Sequence, residues 1–187
     1  MRPQKVEDKE LLEGLMSVLR AKGYDGSSLN DLAASSGLQK ASLYHRFPGG
    51  KKEITSAVLA YVDKWVNKHI YEVLSNNANE PSARLETALN NVNALYGSGQ
   101  EICIIRALTM DSGIELFGEQ IKESMSHWIE GFKNLGMAFG FDELKATNKA
   151  QQVLIQIQGS LVVSKGMASA EPFQKALLSI KNMYLGE

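Results

Sequence analysis

The chain has 187 residues, 44% hydrophobic and 22% charged, with a formal net charge of −1. That composition belongs to a globular protein; no apolar run approaches the ~20 residues that span a bilayer, and no strong basic excess marks the whole chain for nucleic acid. The N-terminal MRPQKVEDKE lacks the apolar segment of a signal peptide, and the lone Cys103 excludes an intrachain disulfide framework, so a cytoplasmic protein is expected.

Apolar residues recur at helical spacing almost throughout, and no stretch alternates as a strand does; the expected fold class is all-α, with about nine helices. The first helix is expected over Val6–Lys22, with Leu12, Leu15, Met16 and Leu19 inward. Gly23 ends it, and Tyr24-Asp25-Gly26 reads as a turn. Ser28 caps the second helix, with Asp31 three residues on completing a capping-box-like pair. That helix stops at Gly37, where the turn needs a left-handed backbone. A third helix follows over Gln39–Phe47, and Pro48-Gly49-Gly50 breaks the chain.

A long amphipathic helix is expected over Lys51–Leu74, then a polar loop, Asn76–Glu80. Pro81 opens a helix reaching about Tyr96, with Leu85, Leu89 and Val92 inward. After the Gly97-Ser98-Gly99 turn come a short apolar helix, Ile102–Met110, and a long one, Ile114–Phe139, with a kink expected near Gly131. Two more complete the chain: Asp142–Lys165 and Pro172–Leu185. This predicts a three-helix head over residues 1–50 and a helical body over 51–187, of which 51–74 connects the two.

Two short helices around a glycine turn, the second polar on its outer side, form a helix-turn-helix pattern of the kind that reads DNA. Charge is split accordingly. Residues 1–52 carry nine Lys/Arg against six Asp/Glu, and residues 53–187 carry eleven against fifteen. With Leu29, Leu32, Leu38, Leu43 and Phe47 assigned to the head's core, Gln39, Lys40, Ser42, Tyr44, His45 and Arg46 remain for DNA. The first of these reach base edges and the later ones phosphates. Ser28 at a helix start, and Lys51 and Lys52 at the next, are expected to hold further phosphates.

The elements Ser28-Leu29-Asn30-Asp31-Leu32-Ala33, Gly37-Leu38, Ala41-Ser42-Leu43-Tyr44-His45-Arg46-Phe47, and Lys51 with Glu53-Ile54 resemble the TetR family of repressors. The resemblance covers about residues 5–60. It implies a homodimer that binds a palindromic operator in the major groove, with Ala41 among the DNA-facing positions, and a body that encloses a small, largely apolar effector. For the dimer surface, the apolar faces Val153, Leu154, Ile157, Leu161, Val162 and Phe173, Leu177, Ile180, Tyr184 are the candidates. For the effector, Trp65, Tyr96, Met110, Phe117, Met125, Trp128 and Phe132 are candidate linings, each also a natural core residue.

Cys103 admits two readings: a buried small hydrophobe, or a redox or electrophile sensor. The stretches Cys103–Leu108 and Gly159–Lys165 resemble a branch of the same family that senses reactive electrophiles and oxidants, which implies Lys165 as its companion. No metal or cofactor site is read; His127 has no partner at ligand spacing in sequence. The alternatives to a regulator are an all-helical enzyme, for which no nucleophile or phosphate motif is present, and a protein-binding adaptor.

Overall fold

The computed structural model describes residues 7–110 and 112–186. Its helices are α1 (Asp8–Gly26), α2 (Leu29–Ser35), α3 (Lys40–Arg46), α4 (Gly50–Val66), α5 (Glu72–Ser75), α6 (Pro81–Leu95), α7 (Ile104–Leu108), α8 (Ser112–Ala138), α9 (Glu143–Met167) and α10 (Glu171–Leu185). A π-helical turn, Asn67–Tyr71, carries α4 into α5 without leaving the helical path. With α4 and α5 counted as one rod, nine helices and no strand are present among the described residues, as the periodicity predicts. No described helix is long and apolar enough to cross a membrane.

The chain forms two compact units: one holds the residues up to Val62 with Ile104–Ile121, the other Asp63–Cys103 with the residues from Lys122 onward. In the first, Leu11, Leu15 and Leu19 of α1 are essentially fully buried, with Leu32, Leu43, Ile54 and Val58. The inward face of α1 is thus turned from the expected one: Leu11 belongs to it, while Leu12 and Met16 are half-buried. Val6 lies outside the described residues. Leu29 and Leu38, expected in the core, are also half-buried. Truncating a fully buried leucine costs about 2–5 kcal/mol, so this small cluster carries most of the head's stability.

In the second unit α9 and α10 pack on each other. Val153, Ile157, Phe173, Ile180 and Tyr184 are buried, and Leu161 and Leu177 nearly so. These residues, expected at a dimer face, are instead core within the chain. A helical stripe of apolar residues reports that something covers it, and here the covering helix belongs to the same chain. The Tyr184 hydroxyl donates to the Phe132 carbonyl (3.0 Å), and burial pushes its ionisation far above the ordinary phenol range. Arg84, 4% exposed, donates to the Leu74 carbonyl (3.0 Å) and to Asn77 Oδ1 (3.1 Å). It thereby closes the polar loop ahead of α6 and caps α5. α8 runs as one helix; at Gly131 the absent side chain lets it approach the Tyr71 backbone.

Candidate nucleic-acid interface

The head is assembled by local chemistry that the sequence announces. Ser28 Oγ accepts from the Asp31 amide (3.1 Å), and the Asp31 carboxylate accepts from the Ser28 amide (3.0 Å), a reciprocal cap on α2. Lys22 adds an ion pair to Asp31 at 2.7 Å. Lys22 first and Ser28 second hold the Asp31 carboxyl down to a pKa of about 2. Gly37, at φ 66°, makes the turn between α2 and α3 as required.

The depressed Asp31 pKa ties stability to pH. Its contribution is complete above the ordinary value of 3.8 and is lost as pH falls toward about 2. Thermal unfolding of wild type and Asp31→Asn should therefore converge across that window, and the variant should be the less stable of the two only above it.

Gln39 precedes α3 in an extended conformation and its side chain makes no cap bond. Leu43 and Phe47 point into the core. Gln39, Lys40, Ala41, Ser42, Tyr44 and His45 stand exposed on the outer side, and Lys52 is exposed at the start of α4. Tyr44, 42% exposed, has its ring near Gly50. Among the described residues none of these side chains is engaged elsewhere. The result is one row of amide, hydroxyl, imidazole and ammonium groups, the set of donors and acceptors that contacts base edges and phosphate oxygens.

Three residues expected in that row are spent inside the head. Lys51 Nζ donates to the carbonyls of Tyr24 (2.9 Å) and Ser27 (3.1 Å) and lies 4.3 Å from the centroid of the Tyr24 ring. It braces the α1–α2 turn instead of standing free for phosphate. Arg46 is paired with Asp8 at the start of α1. Ser28 commits both amide and hydroxyl to Asp31, so a carboxylate already occupies the anion position at that helix start. The start of α4 is treated likewise: the Gly49 amide donates to Glu53 Oε2 at 2.6 Å.

Sequence reasoning missed Asp25. Its carboxylate accepts from the Ser112 amide (3.0 Å) and hydroxyl (2.5 Å), holding the first residue of α8. Ser112's two bonds, ahead of the Lys51 charge, keep the Asp25 carboxyl below its ordinary range. The Tyr-Asp-Gly composition signalled a turn, and nothing local signalled that its carboxylate would cap a helix 87 residues on.

The effector candidates disperse. Cys103 is 2% exposed, with the Tyr96 hydroxyl 3.5 Å from its sulfur, and Gln158 donates to the same hydroxyl (3.4 Å). Lys165 is exposed and lines a cleft of about 340 Å³ with Gly99, Gln100, Ser164 and Ala168–Ala170, a lining that does not include Cys103. Met110, 62% exposed, lies on the surface of the first unit and lines no interior, a correction to its assignment. Phe117 is core of the first unit and Trp128 of the second. His127 does have a neighbour that its sequence surroundings conceal: Nδ1 lies 3.0 Å from Asp63 Oδ1. No group of three or more potential metal ligands occurs among the described residues.

Residues 11–58 match the family of bacterial regulatory proteins, tetR family. Two curated regulators of Bacillus subtilis align with most of the chain. The uncharacterized HTH-type transcriptional regulator YxaF is 23% identical over 160 residues (83% of each chain). The HTH-type transcriptional regulator LmrA is 20% identical over 168 residues (88% of this chain, 89% of LmrA). A TetR transcriptional regulator from Legionella pneumophila has the same fold, with a TM-score of 0.80 at 17% identity over 97% of this chain and 98% of its own. The match places a tetR-type DNA-binding head over residues 11–58, and over most of its length the chain is similar to transcriptional regulators that carry such a head.

Proposed function

We propose that the chain acts as a homodimeric repressor. Each protomer lays α3 in the major groove of one half of a palindromic operator, and a small apolar or electrophilic effector releases the dimer. The observation that carries this reading is the outer side of α3: Gln39, Lys40, Ser42, Tyr44 and His45, exposed and, among the described residues, unengaged, on a helix anchored by Leu43. The division that goes with it is a DNA-binding head over residues 1–50 and an effector-binding and dimerisation body over 51–187, with 51–74 as the connection. Selection from random duplexes should recover a palindrome whose half-sites lie about one helical turn, roughly 34 Å, apart. Failure to enrich any duplex overturns the reading.

Two measurements refine it. Tyr44→Ala should weaken operator binding about tenfold at fixed salt while leaving the melting temperature unchanged, because Tyr44 is exposed. With Lys51 and Arg46 engaged internally, Lys40 and Lys52 of each protomer are the main phosphate ligands. The slope of log K against log salt should then be about −3.6, from ~0.9 per neutralised phosphate. A much steeper slope would mean that Lys51 and Arg46 leave their internal partners on DNA.

The dimer reading is supported by what α9 leaves uncovered. Ile155, Val162, Val163 and Met167 are 69%, 44%, 47% and 67% exposed, and Leu178 of α10 is 58% exposed. Gly159 and Gly166 share the exposed side of α9, with nothing within 4 Å of where a Cβ would stand. A stripe of apolar and small residues repeating every three to four positions suits a second copy of itself across a two-fold axis.

For the response, Cys103 and Lys165 are the proposed sensor residues. The Tyr96 hydroxyl against the sulfur supports a thiol whose modification would disturb a packed polar contact, although reagent must first reach a buried sulfur. N-ethylmaleimide should release operator from wild type and not from Cys103→Ser. Equal release from both sinks the sensor reading and leaves Cys103 as core.

A further inference from the structure

Gly23–Ser28 joins the helix-turn-helix to three other helices of the first unit in six residues. Gly23 has φ 68° and ψ −174°, a conformation essentially restricted to glycine, and a Cβ there would stand 3.3 Å from the Ala107 carbonyl of α7. Tyr24 meets Phe117 of α8 edge-on, with ring centroids 5.2 Å apart. Asp25 holds the amide and hydroxyl of Ser112, the first residue of α8. The carbonyls of Tyr24 and Ser27 receive Lys51 of α4. Ser27, 2% exposed, closes the segment on itself by donating to the Gly23 carbonyl at 2.5 Å. Ser28 then begins α2.

A chain end, a loop tip or a solvated turn has none of these ties; an exposed turn of Gly and Asp normally keeps its polar groups for water. Here the polar groups of the segment are taken up by α4 and α8. The segment cannot shift against α8 without breaking both bonds to Asp25, and it cannot shift at all without moving the two carbonyls that fix Lys51 at the start of α4. We infer that Asp25 is a positioning residue for DNA binding: by docking the α1–α2 turn onto the start of α8 it sets the place of Lys51 and of α2–α3, so that displacement of the start of α8 reaches the DNA-reading helix through it. This rests on the DNA-binding reading above.

The test is a thermodynamic cycle on the full-length protein. Operator affinity is measured by fluorescence anisotropy at fixed salt on the palindrome recovered by selection, beside a thermal melt of each variant. Asp25→Ala should weaken binding about tenfold, Ser112→Ala by less, and the pair by no more than Asp25→Ala alone, since both remove the same contact. Asp25→Asn, which keeps one acceptor oxygen, should recover part of the loss. In a Lys51→Met background the effect of Asp25→Ala should largely vanish, which a merely stabilising contact would not do. Should Asp25→Ala fail to fold, Ser112→Ala and Asp25→Asn carry the comparison. Wild type that binds operator together with folded variants that bind it equally well overturns this inference alone. Wild type that binds no duplex overturns the functional reading and this one with it.

Discussion

If the proposed dimer forms through α9, placing aspartate at Ile155 and Val162 should convert it to monomers and lower operator affinity about 100-fold or more, the scale lost when two linked binding events become independent. Both side chains are exposed in the single chain, so the substitution removes nothing from its own core. In a two-fold interface each change is made twice and meets its own copy, which sets four carboxylates in an apolar seam where every unpaired charge is costly. Sedimentation at micromolar concentration should show the monomer mass, with helical content and melting of the isolated chain close to wild type. A double variant that still sediments as a dimer removes α9 from the interface.

The second large effect is expected at Gly14. A Cβ at this position would stand 2.3 Å from the Ser35 carbonyl oxygen, the backbone at the end of α2. Gly14→Ala gains about 1 kcal/mol of helix propensity, but overpacking costs about 1–3 kcal/mol, and an atom this close on rigid backbone puts the cost at the upper end. The clash should win, lowering the melting temperature by several degrees and loosening α1 from α2. Operator affinity should fall as well, because α2 carries the turn that aims α3. Unchanged melting of Gly14→Ala would show that the two helices part without strain.

What was legible in the sequence was local. Ser28 with Asp31, Asp142 at the start of α9 and Gly37 in its turn each act over three or four residues, and each is found as expected. The helices follow from the same short-range periodicity. The head's outward row was legible where its side chains have nothing to reach, as at Gln39, Lys40 and Ser42. It was misread where a long side chain meets a distant partner. Arg46 finds Asp8 across 38 residues, and Lys51 finds carbonyls 24 and 27 residues away. Their chemistry suits phosphate and backbone oxygen equally, and only the fold decides which is nearer. The stripes on α9 and α10 were legible only as covered faces: Val153, Ile157 and Phe173 show that a face is covered without showing by which chain. Gly14 gave no signal at all, since a glycine in mid-helix reads as a weak spot until the crossing helix is in place.

The internal pairing of Lys22, Arg46 and Lys51 has a consequence for how such a regulator competes on a chromosome. Electrostatic attraction to any duplex scales with the number of free cations, and operators are outnumbered by nonspecific sites on the order of 10⁶ or more to one. A head that pairs two of its cations with its own Asp31 and Asp8, and holds the Lys51 ammonium on backbone carbonyls, should be less strongly titrated by bulk DNA. On the proposed reading, more of its discrimination would then fall to the hydrogen-bonding groups of α3, and fewer copies per cell would suffice to keep an operator occupied.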